Sequence, residues 1–300
     1  MTASMTSHLI SPPPRPRATG RARLRAGIAA ALATGLTSFL LLGCVSMPPA
    51  SQQLSTGSGA VSALRRGSQG PTVVLQSGLG DDMDSWAPLL PELEPRQALW
   101  AYSRPGYGDS TAATGSRDPC TVAEELHALL QQAQQRPPYL LVGHSIGGLY
   151  QYAFAKLYPQ EVAGLLLIDP THPRHWPLLQ ERTPALAASL KILRATAFSS
   201  TMRQEFDGQN LCLERLSALP APVAPMTLLA RSRFGLTEPE AFQRLVRELE
   251  VDWSRLLPGL QRQEVAAAGH YIHHDQPRVV NEALRQLLMP RAGRLEAARP

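Results

Sequence analysis

A serine between two glycines, at the point where a buried strand becomes a helix, constrains this chain more than any other feature. The segment reads Gly143-His144-Ser145-Ile146-Gly147, and it follows directly on the apolar run Tyr139–Val142. Only small residues fit two positions before and after such a serine, because strand and helix nearly touch there. The turn also sets Ser145 at a helix N-terminus, where backbone N–H groups stabilise negative charge. The pattern therefore predicts a nucleophilic serine rather than a structural turn.

Short apolar runs alternate with helical patterns from about residue 71 onward. The runs are Thr72–Gln76, Ala98–Tyr102, Tyr139–Val142, Gly164–Ile168, Met226–Ala230 and Glu264–Ala267. They contain no regular polar alternation, which is typical of strands buried on both faces. Thr121 and Glu124 have capping-box spacing at the start of one helix, and another helix is expected at Val279–Leu288. This order predicts an α/β fold with a mostly parallel, doubly wound sheet.

One connection is much longer than a normal crossover. It joins the fourth and fifth of these runs and carries apolar helical pieces at Leu186–Leu193 and Leu211–Leu219. Long inserts of this kind commonly cover an active site. We therefore expect a helical lid at about residues 171–222, with a plain structural excursion as the alternative. The folded domain is expected to span 71–290, followed by a tail, 291–300.

The N-terminal segment has the pattern of a bacterial lipoprotein signal. Arginines precede the apolar run Ala26–Leu42, and that run leads into Leu41-Leu42-Gly43-Cys44, which resembles a lipobox. We expect a signal peptide at 1–43 and an exported protein that is attached to the membrane of the cell envelope through a lipid on Cys44. An uncleaved N-terminal anchor is the alternative.

The positive charge of the chain does not indicate a nucleic-acid partner. The net charge is +5 at pH 7, and the five arginines of the leader account for all of it, so that the rest of the chain is about neutral. Residues 44–70 are rich in Ser, Gln, Gly and Pro and are expected to form a flexible tether. Cys120 and Cys212 would then lie in an oxidising compartment, either bridged or as two partly buried thiols.

From the serine turn outward, over about residues 70–290, the chain resembles the α/β-hydrolase superfamily. The likeness is strongest to its bacterial esterase, lipase and peroxidase-like branch. In the strand numbering of that fold, the helical lid expected in this chain lies between the sixth and seventh strands. Gln76-Ser77-Gly78-Leu79-Gly80 is similar to the oxyanion segment of that branch, where histidine is commoner than Ser77. The resemblance implies an oxyanion hole made by the backbone N–H groups of Leu79 and Ile146.

A second loop is also similar to a motif of this superfamily. Tyr102–Ser110 resembles the D-R-x-G-x-G-x-S loop, with Ser103 in place of the aspartate. Any ion pair that the aspartate makes with the arginine is therefore absent at that position. We interpret this loop as structural.

The resemblance also implies the position of the general base. Gly269–Pro277 is similar to the family's G-H-x-x-x-x-x-x-P ending, so His270 is expected to accept the proton of Ser145 and return it to the leaving group. The other histidines that a metal site could use are His172, His175, His273 and His274. We expect no metal or other cofactor, because histidine clusters in loops usually bind nothing, and we place His273 and His274 in a loop or at the surface.

The sequence does not by itself identify which carboxylate is the acid of the triad. The loop after the strand Met226–Ala230, where the family usually carries it, contains no carboxylate. Asp169 follows the neighbouring strand, and some lipases of the superfamily take their acid from there. Both strands end at the same edge of the sheet. We favour Asp169, keep Glu238 and Glu240 as alternatives, and regard Asp252 as an outsider.

Serine, base and oxyanion hole together serve acyl transfer to water. We expect a serine hydrolase that acts on small or medium-sized carboxylic esters. The alternatives are a C–C bond or amide hydrolase on the same triad, and a non-catalytic binding lipoprotein of the same fold. Protein partners cannot be predicted from this sequence.

Overall fold

The computed structural model describes residues 51–56 and 59–289. The predicted signal peptide with Cys44 and the predicted tail at 291–300 lie outside these residues. Among the helices that are described, none has the length and apolar character needed to cross a membrane.

A single sheet of eight strands runs through the described residues. The strands are β1 Gln52–Thr56, β2 Gly59–Arg66, β3 Gln69–Gln76, β4 Gln97–Tyr102, β5 Tyr139–His144, β6 Val162–Ile168, β7 Met226–Arg231 and β8 Gln261–Val265. Their order across the sheet is β1-β2-β4-β3-β5-β6-β7-β8. β2 pairs antiparallel with β1 and β4, and all other neighbours pair in parallel. The mostly parallel α/β sheet predicted from the sequence is confirmed.

Nine α-helices accompany the sheet in the described part of the chain. They are α1 Pro119–Gln132, α2 Ile146–Leu157, α3 His175–Arg182, α4 Pro184–Ala197, α5 Ser200–Gly208, α6 Leu213–Ala218, α7 Glu240–Leu256, α8 Ile272–Asp275 and α9 Pro277–Leu288. Helices α3 to α6 fill the connection between β6 and β7. The long insert predicted there is therefore helical.

Successive residues of β5 reach two separate hydrophobic cores. Tyr139 and Leu141 pack in one core with residues of α1 and α2, whereas Leu140 and Val142 pack in the other with residues of α9. Side chains of a strand alternate between the two faces of a sheet. Since helices cover both faces, every one of these four residues is buried, and the strand reads as one continuous apolar run.

The segment predicted as a tether is partly folded. Residues 52–56 and 59–66 belong to the predicted tether at 44–70 but form the strands β1 and β2 instead. Val61 and Ala63 alternate into the core on one face of the sheet, while the backbone of β2 pairs with β4. The folded domain therefore begins at β1 rather than at residue 71, because these two strands cover the edge that β4 would otherwise expose.

Two other predicted boundaries are wrong. Helix α1 is capped by Asp118, whose carboxylate accepts the N–H groups of Cys120 and Thr121 at 2.9 and 3.1 Å, so Thr121 lies inside the helix and forms no capping box with Glu124. The last strand, β8, begins three residues before the predicted strand Glu264–Ala267 and ends at Val265. It is an exposed edge strand in which only the last residue is buried, and a search for apolar runs misses such a strand.

Cys120 and Cys212 form a disulfide. Cys120 lies in the first turn of α1, and Cys212 directly precedes α6 of the insert. The bridge therefore ties the insert covalently to the helix layer of the sheet. It closes a loop with a sequence separation of 92 residues, and cross-links over long loops remove much conformational entropy from the unfolded chain.

We expect the double variant Cys120→Ala/Cys212→Ala to unfold more easily than wild type, by about 2–4 kcal/mol. Equilibrium unfolding in urea, with and without a reductant, measures this. Reductant should destabilise wild type to the level of the variant and leave the variant unchanged. Equal midpoints for oxidised wild type and the variant would show that the bridge adds no stability.

Candidate active site

Ser145 lies in the turn between β5 and α2 with φ 54° and ψ −125°. A positive φ costs energy in any residue with a side chain, and such strain persists only where the surrounding structure holds it. Two backbone hydrogen bonds hold it here. The Ser145 N–H donates to the Ile168 carbonyl at 3.1 Å, and the Ser145 carbonyl accepts the Thr171 N–H at 2.9 Å. Both bonds connect Ser145 to residues at the end of β6 or just after it.

The glycines on either side of the serine are required by close approach. A Cβ on Gly143 would collide with the backbone of Gly147, and a Cβ on Gly147 would collide with the backbone oxygen of Gln76 at the end of β3. The small residues that the sequence motif contains are thus the ones that the strand–helix contact demands.

His270 follows β8 and lies beside the serine. Its Nε2 is 3.2 Å from Ser145 Oγ, and its Nδ1 is 2.5 Å from Asp169 Oδ2. A neutral histidine that donates its Nδ1 hydrogen to a carboxylate keeps Nε2 as a proton acceptor for the serine. The structure therefore brings Ser145, His270 and Asp169 together in one hydrogen-bonded chain.

Asp169 directly follows β6, and its side chain is 4% exposed. Besides His270, its carboxylate faces the Arg231 guanidinium, whose Nε lies 3.1 Å from Oδ2. Arg231 ends β7, the strand next to β6 in the sheet. The positive charge of Arg231 compensates the buried carboxylate, since an unpaired charge away from water is costly. The contact of Arg231 with Asp169 is not predictable from the sequence, because nothing in the local pattern around Arg231 identifies its partner.

The other candidate acids pair with arginines rather than with His270. Glu238 accepts hydrogen bonds from Arg231 Nη1 at 2.7 Å and from a backbone N–H. Glu240 pairs with Arg244 on the exposed side of α7, and Asp252 pairs with arginines on α7 and in the insert. Of the four carboxylates considered from the sequence, only Asp169 contacts His270.

The predicted oxyanion donors are neighbours. Ile146 is the first residue of α2, where a backbone N–H has no acceptor within the helix. Leu79 follows β3, and its side chain packs against a buried cluster that contains Ile146 and Tyr150. The end of β3 and the start of α2 thus meet at the side of Ser145.

A cavity of about 250 Å³ opens beside these residues. Ser145 and His270 are part of its wall. The apolar part of its wall comes from helix α7 through Phe242, Val246 and Leu249. The polar residues of the wall include Asp169, His172, His175, Arg231, Glu238 and Glu250. Its volume is below the range of pockets that hold drug-sized ligands, about 300–1,000 Å³.

The four histidines that could serve as metal ligands lie in two pairs, one in the wall of the cavity and one in helix α8. His172 and His175 line the cavity, and desolvation lowers the pKa of each to about 4. His274 is exposed and contacts the carbonyl of Ser85 at 2.7 Å. His273, which we predicted in a loop or at the surface, is instead fully buried in α8. Its ring packs against Trp86 with centroids 4.5 Å apart, a contact that the local sequence does not reveal.

His144, between the first glycine and Ser145, is a further residue of the site that sequence analysis misses. Its side chain is buried, and its Nε2 donates to the backbone carbonyl of His270 at 3.0 Å. Desolvation by burial lowers the pKa of His144 well below 6.5. This neutral histidine therefore fixes the backbone that carries His270.

Burial of His273 makes the fold sensitive to acid. Desolvation lowers its pKa to about 3, so below pH 6.5 the unfolded chain binds a proton there and the folded protein does not. The stability that this neutral ring contributes is present above pH 6.5 and is lost as the pH falls toward 3.

His273→Phe keeps an aromatic ring against Trp86 and removes the titration. We expect the variant to lose less stability than wild type between pH 7 and pH 4.5, by up to about 1.4 kcal/mol per pH unit. Urea unfolding at several pH values measures the slope. His274→Phe, on the exposed neighbour, is the matched control. Identical pH slopes for His273→Phe and wild type would contradict this account.

Comparison with known proteins places this geometry in a known family. A family model described as alpha/beta hydrolase fold matches residues 71–230. Uncharacterized protein YqjL of Bacillus subtilis (strain 168) is 27% identical over 231 residues, which cover 73% of this chain and 84% of the relative. Putative carbamate hydrolase RutD of Klebsiella pneumoniae (strain 342) is 27% identical over 232 residues, or 67% of this chain and 84% of that protein.

Solved structures share the fold. A putative lipase from Acinetobacter baumannii AYE superposes with a TM-score of 0.60 at 19% identity, over 83% of this chain and 93% of the lipase. At this identity the likeness concerns the fold alone.

Proposed function

This chain belongs to the alpha/beta hydrolase family and is a hydrolase of that fold, and from that premise we propose that it cleaves carboxylic esters through an acyl-enzyme on Ser145. The observation that supports this most is the hydrogen-bonded chain from Ser145 Oγ through His270 to Asp169, with distances of 3.2 and 2.5 Å. A serine hydroxyl is a weak nucleophile unless an adjacent base takes its proton.

The proposed reaction has two halves. Ser145 Oγ attacks the ester carbonyl while His270 Nε2 accepts its proton, and the negative charge on the carbonyl oxygen is held by the N–H groups of Leu79 and Ile146. His270 then gives the proton to the departing alcohol. Water, activated by the same histidine, releases the acid from Ser145. Asp169 keeps the imidazole in the required tautomer and stabilises its positive charge during both halves.

The size of the cavity supports short acyl chains. Its volume is about 250 Å³, and helix α7 closes one side with Phe242, Val246 and Leu249. A long fatty acyl chain is larger than this volume and would have to extend beyond the cavity.

A carbamate or an amide is the second candidate substrate class. One relative that matches 67% of the chain carries the name putative carbamate hydrolase, and the same triad and oxyanion donors can serve that reaction. A panel of esters, carbamates and anilides with matched acyl groups distinguishes the two.

We also propose that the protein acts outside the cytoplasm, anchored through Cys44. The Cys120–Cys212 disulfide supports this location, because disulfides persist mainly in oxidising compartments.

Substitution of the proposed triad should abolish ester hydrolysis. Ser145→Ala and His270→Ala should leave no activity above background on p-nitrophenyl acetate. Asp169→Asn should lower kcat by roughly 10⁴-fold, because the imidazole loses its correct tautomer. Glu240→Gln, on an exposed acid, is the matched control and should match wild type. If Glu238→Gln inactivates the enzyme and Asp169→Asn does not, the proposed acid is wrong.

The cavity should set the preferred acyl length. We expect kcat/KM on p-nitrophenyl esters to be highest from acetyl to butyryl and to fall for longer chains. Phe242→Ala enlarges the cavity and should shift the optimum to longer chains, with each accommodated methylene contributing roughly tenfold or more. Phe198→Ala, in the insert and outside the cavity wall, is the control. An unchanged chain-length profile in Phe242→Ala would exclude this cavity as the acyl site.

A further inference from the structure

A fully buried ion pair contacts the oxyanion segment, residues 76–80, and takes no part in the proposed reaction. Arg104, in the loop after β4, is 1% exposed, and Glu205 of helix α5 is 0% exposed. Arg104 Nε and Nη2 donate to the two carboxylate oxygens of Glu205, both at 2.9 Å. A bidentate pair of this kind fixes the plane of the guanidinium.

The remaining donors of Arg104 reach the oxyanion segment. Nη1 donates to the Ser77 carbonyl at 2.6 Å, and Nη2 donates to the Gly78 carbonyl at 2.8 Å. The guanidinium therefore bonds at once to Glu205 on one side and to two successive backbone carbonyls on the other.

The second of these carbonyls determines the direction of a proposed oxyanion donor. The Gly78 carbonyl and the Leu79 N–H belong to one planar peptide unit, and in a trans unit these two groups point in opposite directions. The peptide is trans. Because Arg104 holds the Gly78 carbonyl, it holds the Leu79 N–H on the opposite side of the same plane.

Glu205 reaches this segment by a second route. Tyr107 donates its hydroxyl hydrogen to Glu205 Oε2 at 2.8 Å, and the same oxygen atom of Tyr107 accepts the Gly80 N–H at 3.4 Å. Glu205 thus supports the backbone both before and after Leu79.

The charge of Glu205 is required by its surroundings. A second buried guanidinium, that of Arg117, lies 3.6 Å from Glu205 and also pairs with Glu125. The cluster therefore contains two arginines and two carboxylates. Loss of the Glu205 charge would leave the two guanidinium groups with one carboxylate, away from water, which is strongly unfavourable.

Helix α5 packs closely against the loops that carry Arg104 and Arg117. A Cβ on Gly106 would collide with the side chain of Thr201, and a Cβ on Gly208 would lie 3.1 Å from the Arg117 carbonyl. At position 103, where the related motif has an aspartate, Ser103 instead accepts the Met83 N–H at 3.3 Å. The carboxylate for Arg104 therefore comes from the insert.

We propose that Glu205 is a positioning residue for catalysis, which through Arg104 and Tyr107 orients the Leu79 N–H as an oxyanion donor. This inference rests on the proposed serine hydrolase function. In this proposal, helix α5 of the insert helps to stabilise the transition state and does not serve only as part of a lid over the site.

Glu205→Gln is the primary test, in the full chain, with p-nitrophenyl acetate as substrate. The variant keeps the size of the side chain and removes the charge that holds Arg104. We expect kcat to fall roughly 10–100-fold, somewhat less than for removal of an oxyanion donor, with KM changed less than threefold. A donor that acts on developing charge affects the transition state more than substrate binding.

Loss of folding must be distinguished from loss of positioning. Leu216→Ala removes a buried side chain of α6 that does not contact the oxyanion segment, and it should lower the melting temperature while kcat per folded molecule stays near that of wild type. Should Glu205→Gln not fold, Tyr107→Phe removes one hydrogen bond to Glu205 without changing any charge, and a smaller fall in kcat is expected.

The rate at which a fluorophosphonate probe labels Ser145 separates the two proposals. If wild type is not labelled, the serine hydrolase proposal fails. If wild type is labelled and a folded Glu205→Gln variant reacts at the same rate, with unchanged kcat, the positioning role of Glu205 fails while the hydrolase stands. Equal losses of kcat in Glu205→Gln and Leu216→Ala would also overturn the inference.

Discussion

The close approach of β5 and α2 at Ser145 is the constraint on which the rest of the site depends. The strained backbone of this residue is held by hydrogen bonds to Ile168 and Thr171, which flank Asp169 in the chain. A Cβ on Gly148, in the first turn of α2, would collide with Pro170. The close packing around the serine turn therefore also fixes the distance between α2 and the segment that carries Asp169.

Burial determines which groups of this site are charged and how the charged groups are paired. Asp169 and Arg231 end neighbouring parallel strands, so their side chains meet at one edge of the sheet, and each compensates the other where water is scarce. His144 is kept neutral by burial and serves as a hydrogen-bond donor to the backbone of His270. Fixed groups of this kind lose nothing to reorganisation during a reaction, which is the physical basis of electrostatic catalysis.

The insert between β6 and β7 contacts the domain through two different interactions. The Cys120–Cys212 disulfide holds its α6 end covalently, and Glu205 of α5 forms the buried pair with Arg104. Buried ion pairs seldom add net stability, because desolvation offsets their attraction. The proposed positioning role explains this pair by the geometry that it imposes on the oxyanion segment. Under the positioning role proposed here, α5 stays in place during turnover, and any lid movement is confined to the helices before it.

Local sequence patterns are enough to predict the strands β3 to β8 and the serine turn, because these depend on apolar runs and on small residues around a turn. The position of His270 follows from the resemblance to the family. The sequence left the acid open among Asp169, Glu238 and Glu240. Only the tertiary structure separated them, since contact with His270 depends on which strand ends are neighbours. The edge strand β1 and its neighbour β2 escape prediction, and the edge strand β8 is predicted only in part. The exposed residues of β1 and β8 interrupt the apolar pattern. The partner of Arg104 escaped it because Glu205 lies about a hundred residues away in the chain, and no local pattern records a contact at that separation.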